Sequence, residues 1–318
     1  MKLSLIIAVY NAEETLGEQL DALAAEDWSG QWEVILSDNG STDRSMDIAR
    51  SYEGQIANLR LIDSSDQRGA AHARDKAVQL AVGETVAFVD ADDVIGKGWV
   101  RAMAEASETH DFMASRFDYQ KLRVRPEQAY CGGTQLDGIQ HMWWAPFYPH
   151  AGACGLAVKK SLYEAVGGFD PDWHALEDTD LCIRLHQHGV RLRFVPDALM
   201  CIRARSNYKG IFRQAKCWGQ YNARLYKQYR LKDQKLPQPI RHFCRDAYKA
   251  LKRYIRGPVN ARVIYQLGWH FGLLKGSLLY RVAPPVTGLV PIPEGIDDEC
   301  QAHTQVNSQS PAHANSAG

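Results

Sequence analysis

The first ninety residues alternate between short, almost wholly apolar runs and segments with helical spacing, and few architectures accommodate that order. Leu3-Ser4-Leu5-Ile6-Ile7-Ala8-Val9 is nearly continuous in apolar residues, as a strand buried on both faces must be. Glu13 to Ala25 then sets Leu16, Leu20 and Leu23 at helical spacing. Trp32 to Leu36 is a second strand, followed by a helix from Thr42 to Tyr52 capped by Ser41 or Thr42. Leu59 to Ile62 and Glu84 to Val89 are further strands, separated by a helix from Ala70 to Val82. The pattern predicts an α/β fold, a mostly parallel central sheet with helices on both faces. Ligands of such sheets bind beyond the carboxyl ends of the strands. Tyr10-Asn11, Asp38-Asn39 and Asp90 to Asp93 each follow a strand directly, so they are expected on one rim.

From Gln120 to Pro149 the pattern loosens into a loop-rich connection with an aromatic group, Trp143, Trp144, Phe147 and Tyr148. Those rings either offer a stacking face to a ligand or close the edge of the core. Leu156 to Val166 resumes as a strand and helix ending at Gly167-Gly168. Asp178 to His188 is a helix stopped by Gly189, and Arg191 to Val195 a strand. His186 and His188, two apart on that helix, point in different directions and do not suggest a metal pair. The expected division is a principal α/β domain over 1–230, a basic helical extension over 231–284 and a disordered tail over 285–318.

Net charge is zero, but its distribution is uneven. Residues 200–285 carry 19 Lys/Arg against two acids, whereas residues 1–199 carry 18 against 31. A surface that meets something anionic is the usual reason for such asymmetry. The seven cysteines are scattered and never spaced Cys-x-x-Cys, so reduced thiols in a cytosolic compartment are expected rather than a disulfide framework or a structural zinc site. No signal segment opens the chain, and no run of 18 apolar residues is present.

Two acidic clusters carry the chemistry. Asp90-Ala91-Asp92-Asp93 puts three carboxylates at a strand end, where they either bind a hard cation such as magnesium or manganese or form a solvated acidic loop. Glu177-Asp178-Thr179-Asp180 opens a helix, as plain dipole-stabilised caps would, or as a general base and its neighbours would. Together with Ala8-Val9-Tyr10-Asn11, Ser37 to Asp43, Gly69 to Arg74 and Gly167-Gly168-Phe169-Asp170, in that order, the chain resembles the family 2 glycosyltransferases over about residues 2–230.

That resemblance implies a nucleotide-diphospho-sugar transferase (GT-A) fold with an inverting, metal-dependent reaction. Ala8, Tyr10, Asn11 and Glu13 would border the nucleotide-sugar, and Asp38 or Asn39 would hydrogen-bond the base. Many members carry two acids at those two positions, and a proline precedes Tyr-Asn where this chain has Ala8-Val9. Arg74 and Ala91 would help hold the nucleotide. Asp90 would sit near the ribose or the metal's waters, and Asp92 would ligate Mn2+ or Mg2+ directly. Asp178 matches the catalytic base, and Glu177 its neighbour facing the acceptor. Gln214-Ala215-Lys216-Cys217-Trp218 is similar to the Gln-x-x-Arg-Trp motif of processive members, but Cys217 replaces the arginine, which argues against a polymerising synthase. Arg213, Gln214 and Trp218 would line the acceptor side or simply pack a helix. The donor implied is foremost a UDP-sugar, and the acceptor a saccharide or lipid-linked saccharide.

Basic residues from Arg241 to Arg262 are interleaved with Phe243, Tyr248, Leu251, Tyr254 and Ile255, and Val263 to Val282 gathers Trp269, Phe271, Leu274, Leu278 and Leu279. This predicts either peripheral attachment to an anionic membrane surface or helices packed on the main domain with their charges solvated. Two other function classes were weighed. A nucleotidyltransferase would show a glycine- and lysine-rich phosphate loop after the first strand, which is missing. A nucleic-acid-binding role for residues 200–285 lacks any recognisable module, and the acidic first half would repel a polyanion.

Overall fold

The computed structural model describes residues 2–56, 58–122, 134–144, 146–231 and 239–285. In the first half, strands β1 (Leu3–Val9), β2 (Trp32–Asp38), β3 (Leu59–Asp63), β4 (Thr85–Asp90) and β5 (Val94–Ile95) alternate with helices α1 (Leu16–Ala24), α2 (Ser45–Ser51) and α3 (Ala70–Leu80). Next come α4 (Trp99–Ala106), β6 (Phe112–Asp118) and the two short strands β7 (Gln140–His141) and β8 (Pro149–His150). They are followed by β9 (Leu156–Lys159), α5 (Lys160–Ala165), α6 (Glu177–Gln187) and β10 (Leu192–Cys201). Three long helices end the described chain: α7 (Tyr208–Tyr229), α8 (Pro239–Arg256) and α9 (Ala261–Tyr280). The tail expected over 285–318 lies, from residue 286 on, outside the described residues.

The main sheet has eight strands in the order β3-β2-β1-β4-β9-β6-β10-β5. β3, β2, β1 and β4 are mutually parallel, as the strand–helix alternation predicts. β9 is the exception inside the sheet, running antiparallel to both β4 and β6, while β10 is parallel to β6. That reversal is invisible in a four-residue strand, whose direction is set by its neighbours and not by its own pattern. Alternate residues of each strand feed two cores. Leu3, Leu5, Ile7, Val34, Leu36 and Val89 pack with α1 and α4 on one face. Ile6, Ile35, Val86 and Phe88 pack with α3, α6 and Phe169 on the other. Full burial of each such side chain stabilises the fold by about 1.5–3 kcal/mol, so this first half is held rigidly behind the rim.

One local expectation changes, and one alternative is decided. α2 begins at Ser45 rather than Thr42, because the Asp43 carboxylate accepts from the Ser45 amide and hydroxyl at 3.0 and 2.5 Å and so takes the capping work from Ser41 and Thr42. The aromatic group closes a core: Met142 and Trp144 are buried with Trp173, Tyr221, Tyr226 and Tyr229, and Trp143 and Tyr148 pack against them.

Candidate active site

Parallel pairing aligns Val9 with Asp38 and Ala8 with Asp90, so the three polar clusters that follow β1, β2 and β4 do meet on one rim. Because β9 runs the other way, its beginning reaches that same rim and brings Ala153, Cys154 and Gly155 there. Gly155 fits this approach closely: its φ is +98°, and a Cβ would lie 2.6 Å from the Ser115 side chain. β10 ends at the rim as well and carries Arg203 and Arg205 just beyond its last residue.

Arg74, buried on α3, joins the two acidic clusters. Its Nη2 donates to Asp90 Oδ1 at 2.7 Å and its Nη1 to Glu177 Oε1 at 2.8 Å. Burial works against the charged guanidinium, yet Asp90 and Glu177 outweigh it and hold the pKa above the ordinary arginine value. The strut therefore stays cationic and fixes the first turn of α6 against the end of β4.

Asp178 sits one residue further along that turn. Its carboxylate accepts from the Ala153 amide at 2.9 Å and the Thr179 amide at 2.6 Å. Burial, and then the like charge of Glu177, push its pKa up to about 6. A carboxylate poised there is basic enough to take a proton yet ionised near neutral pH. The residue before the helix, Leu176, adopts φ +60°, a left-handed conformation that costs a non-glycine residue about 1–2 kcal/mol. Asn11 shares this strain at φ +47°.

In the Asp90 to Asp93 cluster the three acids play different parts. Asp93 is buried; its Oδ1 accepts from the Arg203 amide at 2.7 Å, the Cys154 thiol donates to it, and burial with the charges of Asp90 and Asp92 raises its pKa well above the carboxylate range. Donor atoms of Asp90, Asp93 and Cys154 lie within 4.8 Å of one another. The expected metal pair was Asp90 and Asp92, so this grouping is a different one. A protonated thiol is a poor partner for magnesium or manganese, and Asp93 is already engaged by Arg203 and Cys154, so the pair closes the back of the site. Asp92 has a carboxylate 42% exposed, with the Arg205 guanidinium 4.0 Å away. Burial, then the charge of Asp90, raises its pKa. Mutual repulsion between Asp90 and Asp92, both hard oxygen donors, fits a divalent cation that would relieve it.

The rim beyond β1 and β2 is ordered by small polar contacts. The Asn11 amide donates to Ser41 Oγ at 3.0 Å, and its Oδ1 accepts from the Thr42 amide at 2.8 Å. Glu13 Oε2 accepts from Arg44, and the Ala91 carbonyl from Thr15 Oγ1 at 3.0 Å. Tyr10 is exposed, under the Arg68 guanidinium, whose Nη1 donates to its hydroxyl at 2.7 Å. Asp38 Oδ1 accepts from the Ser41 amide at 3.0 Å. Asn39 is buried and spends both amide protons on the Ser64 and Gln67 carbonyls, while its oxygen accepts from the Gly69 amide. The side chain of Asn39 thus braces the 64–69 loop, whereas Asp38 makes the shorter-range contact to the Ser41 amide.

Arg213, Gln214 and Trp218 lie on α7. Arg213 is exposed, Gln214 half-buried, and the Trp218 ring meets Tyr265 of α9 edge-on at 6.4 Å, so Trp218 packs between helices. The neighbouring Cys217 feels the charge of Glu177, after burial the larger cause of its raised pKa. Sequence reasoning missed Arg203 and Arg205. The Arg203 Nε donates to the Asp92 carbonyl at 2.9 Å and its Nη2 to Glu18 at 2.9 Å. Two basic residues immediately after a strand were the available signal, once that strand was known to end at the rim.

Known proteins share parts of this sequence and its fold. Glycosyl transferase family 2 matches residues 4–165, and Glycosyl transferase family group 2 matches residues 85–293. The poly(ribitol-phosphate) beta-glucosyltransferase of Bacillus spizizenii is 39% identical over 98 residues, 30% of this chain and 16% of that protein, so only a small part of the relative is spanned. The crystal structure of Staphylococcus aureus TarS 1-349 in complex with UDP-GlcNAc superposes with a TM-score of 0.54 at 18% identity, covering 89% of this chain and 93% of that one. The mannosyltransferase PcManGT from Pyrobaculum calidifontis, in complex with GDP-Man and Mn2+, gives 0.58 at 20% identity over 87% and 86%. At such identities these structures establish the GT-A fold alone. The family 2 match covers half of the chain and includes the Asp90 cluster, and the group 2 match extends over the Glu177-Asp178 turn; the chain belongs to glycosyl transferase family 2.

Proposed function

We propose that this enzyme moves a sugar from a nucleotide-diphospho-sugar, foremost a UDP-sugar, to a hydroxyl of a saccharide or lipid-linked saccharide, with inversion and without processive elongation. The observation that carries the reading is the Arg74 strut, which holds the Asp90 cluster and the Glu177-Asp178 turn within one site. In the reaction, the Asp178 carboxylate takes the proton of the acceptor hydroxyl as that oxygen forms its bond to the anomeric carbon. The bond from that carbon to the diphosphate oxygen breaks on the opposite face, which inverts the centre. Amides of Ala153 and Thr179 keep the Asp178 carboxylate oriented, and Glu177, anchored by Arg74, faces the acceptor. Asp38 and Tyr10 hold the base and Arg205 lies where a diphosphate would need a cation. Asp92, with Asp90, would hold Mn2+ or Mg2+, which when bound offsets charge on the leaving diphosphate.

The ligands in the TarS and PcManGT structures, UDP-GlcNAc and GDP-Man with Mn2+, support a donor of this class and a divalent ion. The name of the poly(ribitol-phosphate) beta-glucosyltransferase relative supports a polymeric acceptor. Among the described residues no helix is long and apolar enough to cross a membrane, which agrees with peripheral attachment. Calorimetric titration of UDP, GDP and dTDP tests the donor side. One nucleotide should bind at least about tenfold more tightly with manganese, and Asp92→Ala should abolish that gain, since removing a ligand of a bound cation commonly costs a decade or more. Metal-independent binding unchanged by Asp92→Ala would contradict the assignment.

A further inference from the structure

α9 meets α7 backbone to backbone. Gly268, Gly272 and Gly276 recur every four residues along one edge, and a Cβ at each would lie 2.6, 2.1 and 2.4 Å from the carbonyl oxygens of Phe212, Lys216 and Gln220. Gly219 of α7 answers with a Cβ position 2.4 Å from the Trp269 carbonyl. An interface this close leaves no room for large side chains along the glycine edge itself, so several of those of α9 project away from it. Phe271, Leu274 and Leu278, at three- and four-residue steps, face solvent together with Leu279; Leu278 and Leu279 are 73% and 58% exposed.

α8 repeats the pattern. Cys244, Tyr248, Leu251 and Ile255, stepped by four, three and four, form an exposed stripe on a helix in which only Ala250 is buried among the described side chains. Phe243 contacts His270, and Arg253 donates to Gln266 at 3.2 Å, so the two helices run in opposite directions as a hairpin. With those contacts fixed, helical periodicity turns both stripes to the same side. Lys249, Lys252, Arg256, Lys275 and Arg281 are exposed around them, against the single acid Asp246 in both helices.

We propose that this face of the α8–α9 hairpin binds the surface of an anionic lipid bilayer, its apolar stripes lying in the headgroup boundary and its lysines and arginines reaching the phosphates. Charge selects the occupant. A second copy of the chain would set one strongly basic surface against another, and a nucleic acid would leave the apolar stripes in water. The combination of a large apolar face and basic flanks is what an interfacial helix presents. α9 packs on α7, and the Tyr229 hydroxyl of α7 donates to Asp180 Oδ1 at 2.6 Å on the turn that carries Asp178, so a bilayer-held acceptor would arrive on that side of the site. Only the nature of that acceptor rests on the transferase reading; the binding itself does not.

Co-sedimentation of the full chain with vesicles of phosphatidylglycerol and phosphatidylcholine (3:7), and with pure phosphatidylcholine, at low salt is the test. The protein should pellet with the anionic vesicles, with at least about tenfold weaker binding to the neutral ones. The double variant Leu278→Asp/Leu279→Asp and the double variant Lys249→Glu/Lys252→Glu should each lower binding to anionic vesicles about tenfold or more. Their donor hydrolysis without vesicles should match the parent, which shows that the fold and the site are intact. No pelleting with anionic vesicles, or undiminished pelleting of both variants, would overturn the proposal. So would a parent dimer that Leu278→Asp/Leu279→Asp converts to a monomer by light scattering, since a second copy would then cover the face. A protein that binds vesicles but hydrolyses no donor would retain this proposal and lose the transferase reading.

Discussion

The rim and the helical end solve opposite problems. At the rim, apolar side chains are buried in the sheet behind and nearly every charge has an identified partner: Arg74 with Asp90 and Glu177, Arg203 with Glu18, Asp93 with the Arg203 amide. At the α8–α9 end, large apolar side chains point outward among basic groups, and glycines bring α9 against the backbone of α7. The lesson is that charge pairing marks where this molecule is organised for chemistry, whereas an excess of one charge beside exposed apolar surface marks where it awaits a partner.

The contrast can be broken most forcefully at the strut. Arg74→Met leaves two half-buried acids without their cation, and should cost up to about 3 kcal/mol in urea unfolding as well as donor turnover. Arg74→Lys should recover part of the stability but not the two-armed geometry. A loss of less than about 1 kcal/mol would mean that the acidic clusters hold together without it. Next in size is the glycine edge. Gly272→Ala puts a methyl group 2.1 Å from the Lys216 carbonyl, backbone that cannot move aside, and should cost about 1–3 kcal/mol. Gly17→Ala, on α1 with nothing within 4 Å, should instead stabilise by about 0.4–1 kcal/mol. Equal melting shifts for the two would show that α9 does not pack on α7 as described.

A smaller, sharper effect lies in the pH profile. Asp178 must be ionised to accept a proton, and burial with the charge of Glu177 raises its pKa to about 6, so kcat/KM should fall as pH drops through that value. Glu177→Gln removes the like charge and frees Arg74 from a second carboxylate, and both changes favour ionised Asp178. The acid limb should therefore move to lower pH, and a limb that moves up or stays fixed would assign it to another group.

Much of this was legible in the sequence because it is local. The β1, β2 and β4 runs, and the polar pairs that follow them, announce a parallel sheet with a working rim before any contact is known. What was not legible depends on partners far along the chain. Asn39 looks free to bind a base until the 64–69 loop folds over it and consumes both its amide protons. Asp93 looks equivalent to Asp92 until the reversed β9 sets Cys154 behind it and β10 sets the Arg203 amide on it. Trp218, which its motif leaves between the acceptor side and helix packing, meets Tyr265 of a helix whose glycine edge decides the packing.

The central claim is that Asp178 is the base of a glycosyl transfer from a nucleotide-sugar. The most direct measurement is release of nucleoside diphosphate from a panel of nucleotide-sugars, with manganese and simple saccharide or lipid-linked acceptors, by the parent and by Asp178→Asn. The account predicts that one donor is turned over, and that Asp178→Asn lowers kcat about 10²–10⁴-fold while donor affinity stays within about twofold. Turnover of no donor, or an Asp178→Asn enzyme as fast as the parent, would contradict it.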